Sequence, residues 1–127
     1  MNFSKKSPGK RIKLTNKQLV EATEAVESAA DVLGKKAPRP DKAVGKLIRR
    51  NYFQVKNADG VFALGKIDKK TGHVEGGTGW SVEMAKKMNK PIHVFDSAEK
   101  RWNLWNKKVK KWEIEETPKL TKRPTVI

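Results

Sequence analysis

Gly76-Gly77-Thr78-Gly79-Trp80-Ser81-Val82-Glu83 is the stretch on which the reading of this chain turns, with Val74 before it and an amphipathic run from Met84 to Met88 after it. Three glycines in four residues allow a tight backbone turn with exposed N–H groups, and a helix starting there directs its positive dipole end at the same spot. Such a start suits an anion, because first-turn N–H groups lack partners and the dipole favours negative charge. Glycine turns are also built for packing alone, so the flanking sequence decides. Asn89-Lys90-Pro91 stops the helix, and Ile92-His93-Val94-Phe95 closing on Asp96 reads as a buried parallel strand ending in a carboxylate. Gly60-Val61-Phe62-Ala63-Leu64-Gly65 supplies the matching strand before the turn. The centre is therefore strand, glycine turn, helix, strand. Ligands of such units bind at the carboxyl ends of the strands, beside the turn and Asp96.

Composition narrows the partner. The 127 residues hold 29 Lys and Arg against 14 Asp and Glu, a net charge of +15. An excess of that size points to an acidic partner: nucleic acid, a nucleotide or an acidic protein. With no cysteine and only His73 and His93, thiolate and histidine-rich metal sites are excluded, and no cofactor is expected. No apolar run approaches the roughly 18 residues of a membrane span, and the basic start lacks the apolar centre of a signal peptide. A cytoplasmic protein without membrane contact is the expectation.

Residues 1–14 carry Lys5, Lys6, Lys10, Arg11 and Lys13 without an acid and read as a flexible basic arm, leaving 15–127 as a single domain. Thr15 and Gln18 have capping-box spacing, and Leu19, Ala22, Val26, Ala29, Ala30 and Leu33 recur at helical spacing up to Gly34. Asp41 is expected to cap a second helix reaching about Lys56, with Val44, Leu47, Ile48, Tyr52 and Val55 as its apolar stripe. Arg50 and Gln54, one turn apart, share a face beside that stripe. Asp68-Lys69-Lys70-Thr71-Gly72 predicts a protruding turn between Ile67 and Val74. Beyond Asp96, two alternating segments around Asn106-Lys107-Lys108 predict a hairpin. Its Trp102, Trp105 and Trp112, interleaved with lysines, suit either the cover of a sheet edge or the stacking of nucleobases.

Arg50-Asn51-Tyr52-Phe53-Gln54-Val55-Lys56-Asn57-Ala58-Asp59, the apolar strand after it, and Gly76 to Glu83 together resemble the SLOG superfamily. This Rossmann-like group includes the lonely-guy phosphoribohydrolases, once called lysine decarboxylase-like, and the Smf/DprA proteins. The similarity covers residues 41–96. It lies in an arginine eight residues before an Ala-Asp pair, an apolar strand, and a GGxGxxxE loop. The resemblance implies a Rossmann-like three-layer α/β domain with a mostly parallel sheet, here followed by the Trp-rich hairpin. It also implies that Arg50 and Glu83 correspond to the catalytic pair and that the glycines form the phosphate loop. Glu75 stands where those enzymes have proline, Trp80 replaces a threonine, and residues 67–74 interpose an excursion. Their opening strand and glycine turn have no counterpart in residues 1–14.

The expected function is binding of a nucleotide or nucleotide-derived metabolite by Gly76, Gly77, Thr78, Gly79 and Trp80, with Arg50, Gln54, Glu83 and Asp96 around the loop. One alternative is a phosphoribohydrolase in which Glu83 assists departure of a base while Arg50 anchors the phosphate. A second is single-stranded nucleic-acid binding through Trp102, Trp105 and Trp112. A homodimer through the Leu47, Ile48, Tyr52 and Val55 stripe is also expected.

Overall fold

The computed structural model describes residues 13–127. The expected basic arm, residues 1–14, therefore lies outside the described residues except for Lys13 and Leu14. Helix α1 (Asn16–Leu33) begins with a complete capping box: Thr15 Oγ1 accepts from Gln18 N at 3.2 Å, and Gln18 Oε1 accepts from Thr15 N at 2.9 Å. It ends on Gly34 at φ 65°, where the left-handed backbone lets the last carbonyls find N–H donors. Helix α2 (Ala43–Lys56) starts without a side-chain cap. Asp41, expected in that role, instead pairs with Arg39 at 3.0 Å, and Lys42 occupies the cap position.

Five strands follow the two helices, interrupted by one more helix: β1 (Gly60–Gly65), α3 (Gly77–Lys87), β2 (Ile92–Asp96), β3 (Arg101–Asn106), β4 (Lys111–Glu115) and β5 (Pro124–Val126). The protein is mixed α/β, with one sheet in the order β4-β3-β2-β1-β5. Because α3 carries the chain back over the sheet, β1 and β2 pair in parallel, as a helical crossover requires. β5 also joins β1 in parallel, whereas β2–β3 and β3–β4 are antiparallel. This corrects the mostly parallel sheet expected from the sequence: two ladders are of each kind, since short turns after Asp96 and Asn106 fold the chain straight back beside itself. The three-layer arrangement is corrected too. α3 rests on β1 and β2, and α1 and α2 pack on α3 and on each other, so the described helices gather on the α3 side of the sheet.

Strand alternation sorts the core. Val61, Ala63, Ile92 and Val94 face the helices and join Val55, Val82 and Ala85 in one buried cluster. A second cluster, Val26, Ala29, Ala30, Ile48, Trp80 and Met84, binds the three helices together. Phe62, His93, Phe95 and Trp102 have the opposite parity and form an aromatic group on the other face, with His93 stacked on Phe62 at 4.8 Å. Residues 116–123 connect β4 at one edge to β5 at the other, and Thr121 approaches Gly60 on this second face.

The helix stripe expected to dimerise is largely consumed inside the chain. Ile48 and Val55 are fully buried, Tyr52 is half-buried against α1, and Leu47 remains exposed. Tyr52 Oη donates to Glu21 at 2.6 Å, and Lys56 pairs with the same carboxylate. No helix among the described residues is long and apolar enough to cross a membrane.

Two outcomes follow from this packing. A β-carbon on Gly79 would stand 2.0 Å from the Val74 carbonyl oxygen, so Gly79→Ala should lower unfolding free energy by about 2 kcal/mol in denaturant titration. Burial first, and then the hydrogen bond to Glu21, push the Tyr52 phenol from 10.0 up to about 12. The folded state thus holds that proton more tightly than the unfolded chain does. The resulting stability is complete below pH 10 and is lost as pH rises toward about 12, and Tyr52→Phe should flatten that decline in melts across the interval.

Candidate functional site

The glycines of the turn divide into two kinds. Gly76 has φ 73° and ψ −159°, a region closed to residues with a β-carbon, so this is where the chain turns into α3. A β-carbon on Gly76 or Gly77 would meet nothing within 4 Å, so the backbone there faces open space. The first-turn N–H groups of Gly77 and Thr78 find no acceptor among the described residues. Gly79 has a different task, since its missing side chain lets α3 press against the Val74 backbone. Val74 is itself fixed by a bridge to Ile67 that closes the excursion of residues 66–75.

The turn and Asp96 meet across the end of β1. Gly65 pairs with Asp96 in register, and Ser97 N donates to Gly65 O at 2.9 Å. On the other side of the same residue, Thr78 Oγ1 reaches Leu64 O at 3.4 Å, and its methyl would lie 3.7 Å from a β-carbon on Gly65. Asp96 is 2 % exposed and accepts from Ala98 N at 2.9 Å, capping the turn that leads to β3. It lines a cleft of about 530 Å³ between the excursion and the β3–β4 hairpin. Buried Asn103 lies beside it, Lys69, Lys70, Lys110 and Lys111 stand along the walls, and Glu99 pairs with Lys69.

Other residues singled out in the sequence are placed elsewhere. Trp80 is buried between the helices with Met84, so its ring belongs to the helix core and not to the loop. Gln54 lies exposed on α2. Arg50 lines a separate cleft formed by Leu14, Leu19, Pro40 and Lys46. Glu83, one turn beyond Gly79, is bonded to Lys86 Nζ at 2.8 Å, with both side chains largely buried. Lys86 Nζ in turn sits 3.8 Å from the Trp105 ring centroid, a cation–π contact that with Glu83 offsets its desolvation. The structure thus gives Arg50 and Glu83 different surroundings, on α2 and on the hairpin side of α3.

The tryptophans do not form one ribbon. Trp105 and Trp112 are cross-strand partners with ring centroids 5.1 Å apart on the helix-bearing face, while Trp102, of opposite parity, joins Phe62 and Phe95. Lys86 covers Trp105, and Trp112 Nε1 donates to Gly72 O at 2.8 Å, clamping the excursion to the hairpin. Sequence reasoning missed Arg49, the neighbour of the residue it chose. Arg49 is 2 % exposed; its Nε donates to Thr23 Oγ1 at 2.9 Å and its Nη1 to Pro38 O at 2.9 Å and Gly45 O at 3.0 Å. Burial pulls its pKa below the usual arginine range, with Glu27 opposing from a distance. Its signal was available: at helical spacing from Gly45, Arg49 points toward the segment that precedes α2.

Comparison with known protein families, with curated proteins and with solved structures finds no match.

Glu83→Ala leaves Lys86 buried without its carboxylate and should cost about 3 kcal/mol of stability. Lys86→Met in the same chain should restore much of that loss in thermal melts. If the two variants simply add, Glu83 and Lys86 are not the coupled pair described.

Proposed function

We propose that this is a cytoplasmic protein that binds a nucleotide or nucleotide-derived metabolite at the carboxyl ends of β1 and β2, in a site of the kind found in the SLOG superfamily. The reading rests on one juxtaposition: the open first turn of α3 and the buried Asp96 flank the same residue, Gly65. Backbone N–H groups of Gly77 and Thr78 would take a phosphate, since the helix dipole and two unpartnered donors converge there. A ribose suits Asp96, because a carboxylate at the end of the strand after a glycine turn accepts sugar hydroxyls, the role of an acidic residue about 20 positions on in dinucleotide-binding units. Lys69, Lys70, Lys110 and Lys111 would neutralise further phosphates along the cleft.

In this reading Gly79 holds the helix in place and the Glu83 carboxylate is committed to Lys86, so binding is favoured over base release. Nucleobase stacking on Trp105 and Trp112 draws little support, because Lys86 and the Gly72 carbonyl already occupy them.

Calorimetry with a panel of nucleoside mono- and diphosphates provides the test. Gly77→Val puts a side chain into the open approach without touching the fold, and Asp96→Asn keeps an oxygen for Ala98 N–H while losing the charge. Each should weaken the best nucleotide at least about tenfold, roughly 1.4 kcal/mol, with melting temperature unchanged. Wild-type affinity in both variants would sink the proposal, and release of free base by the wild type would replace it with the phosphoribohydrolase.

A further inference from the structure

A second, chemically different cleft lies between α1 and α2, and its charge is unbalanced. Lys13, Lys46, Arg49 and Arg50 line it together with Leu14, Leu19 and Pro40; among the described residues no carboxylate does. Its volume, about 360 Å³, lies within the range of small-ligand pockets. Arg49 makes the arrangement unusual. A guanidinium this deeply buried is normally paired with a carboxylate, because desolvating an unpaired cation is costly. Here its three hydrogen bonds among the described residues go to neutral oxygens, those of Thr23, Pro38 and Gly45, and they use Nε and Nη1. The Nη2 donors have no protein acceptor among the described residues. Two neighbouring acids are engaged elsewhere, Glu21 with Tyr52 and Lys56 and Asp41 with Arg39, while Glu27 faces Arg49 through space without a hydrogen bond to it. Residues 1–13 of the sequence contain no acid, so the preceding segment brings no counter-charge.

We propose that this cleft binds a phosphate monoester carrying a compact apolar body. The phosphate would take the free Nη2 edge of Arg49 and the Arg50 guanidinium, with Lys46 and Lys13 adding charge. Arginine forks match phosphate oxygens in pairs, which a bare lysine cluster does not. The apolar body would lie on Leu14, Leu19 and Pro40, walls that give a fully hydrated anion nothing in return. The site is separate from the one at Asp96, and neither depends on the other.

Titration calorimetry of the full chain with phenyl phosphate, inorganic phosphate and phenol tests this. Phenyl phosphate should bind at least tenfold more tightly than inorganic phosphate, and phenol should not bind measurably. The double variant Lys46→Ala, Arg50→Ala should weaken phenyl phosphate at least tenfold, whereas Asp96→Asn should leave it unchanged. Should the double variant melt early, Lys46→Gln at its exposed position should still weaken binding severalfold, with the α1–α2 amide resonances shifting on titration of the wild type. Equal affinity for phenyl phosphate and inorganic phosphate would overturn the proposal. So would wild-type affinity in the double variant, or loss of binding in Asp96→Asn, which would assign the phosphate to the other cleft.

Discussion

The fold depends on one backbone contact, the seating of α3 against the end of the excursion at Val74. Val74 stands against two glycines at once: Gly79 on the helix and Gly65 at the end of β1, where a β-carbon would come 2.6 Å from a Val74 methyl. Neither position tolerates a side chain without movement, so strand, excursion and helix are locked at van der Waals distance. Because α3 is held this close, Val82 and Ala85 reach the sheet while Trp80 and Met84 reach α1 and α2. The helix thereby belongs to both cores. The same contact points its free N-terminus along the carboxyl end of β1, so the open turn and the packing turn are two consequences of one glycine-rich sequence.

Charge is the second organising constraint. A chain of +15 must spread or neutralise its cations, and the structure does both. Lys86 is taken inside, where Glu83 and Trp105 compensate it, and that pairing attaches α3 to the hairpin. Trp112 then holds the excursion through Gly72, so the hairpin secures α3 and also the excursion that forms the opposite wall of the Asp96 cleft. Most other lysines stay exposed. Trp105 and Trp112 thus pack against the core between sheet and helices, while Trp102 joins the aromatic group of the other face.

Local features were legible in the sequence because they depend on neighbours in the chain. The capping box at Thr15 and Gln18, the stop at Gly34, the turn at residues 68–72 and the strand–helix–strand order all follow from spacing and glycine placement. Features set by distant partners were not. Nothing local distinguishes a crossover back to a parallel neighbour from a hairpin beside it, so the mixed sheet emerged only with the strand order. Asp41 is a local exception: its carboxylate pairs with Arg39 two residues away and leaves the cap position to Lys42. Trp102 and Trp105 are three apart on one strand and must face opposite sides, so parity alone could have separated them.

Arg49 and Arg50 show why adjacent residues of one type cannot be ranked by pattern. Both have helical spacing to plausible partners, and the resemblance selects Arg50 by its distance from Ala58-Asp59. What separates them in the folded chain is depth: Arg49 is enclosed by Thr23, Pro38 and Gly45, while Arg50 stays half-buried at the rim of the same cleft. Burying Arg49 ties α1, the connection and α2 with three hydrogen bonds. It also leaves a desolvated positive charge that, among the described residues, no carboxylate hydrogen-bonds and only Glu27 faces from a distance. A cation needed only as a clamp could be replaced by a neutral donor such as glutamine at lower desolvation cost. The retained charge, with Arg50 and two lysines gathered around it, is better explained by a negative group from outside the chain than by the clamp alone.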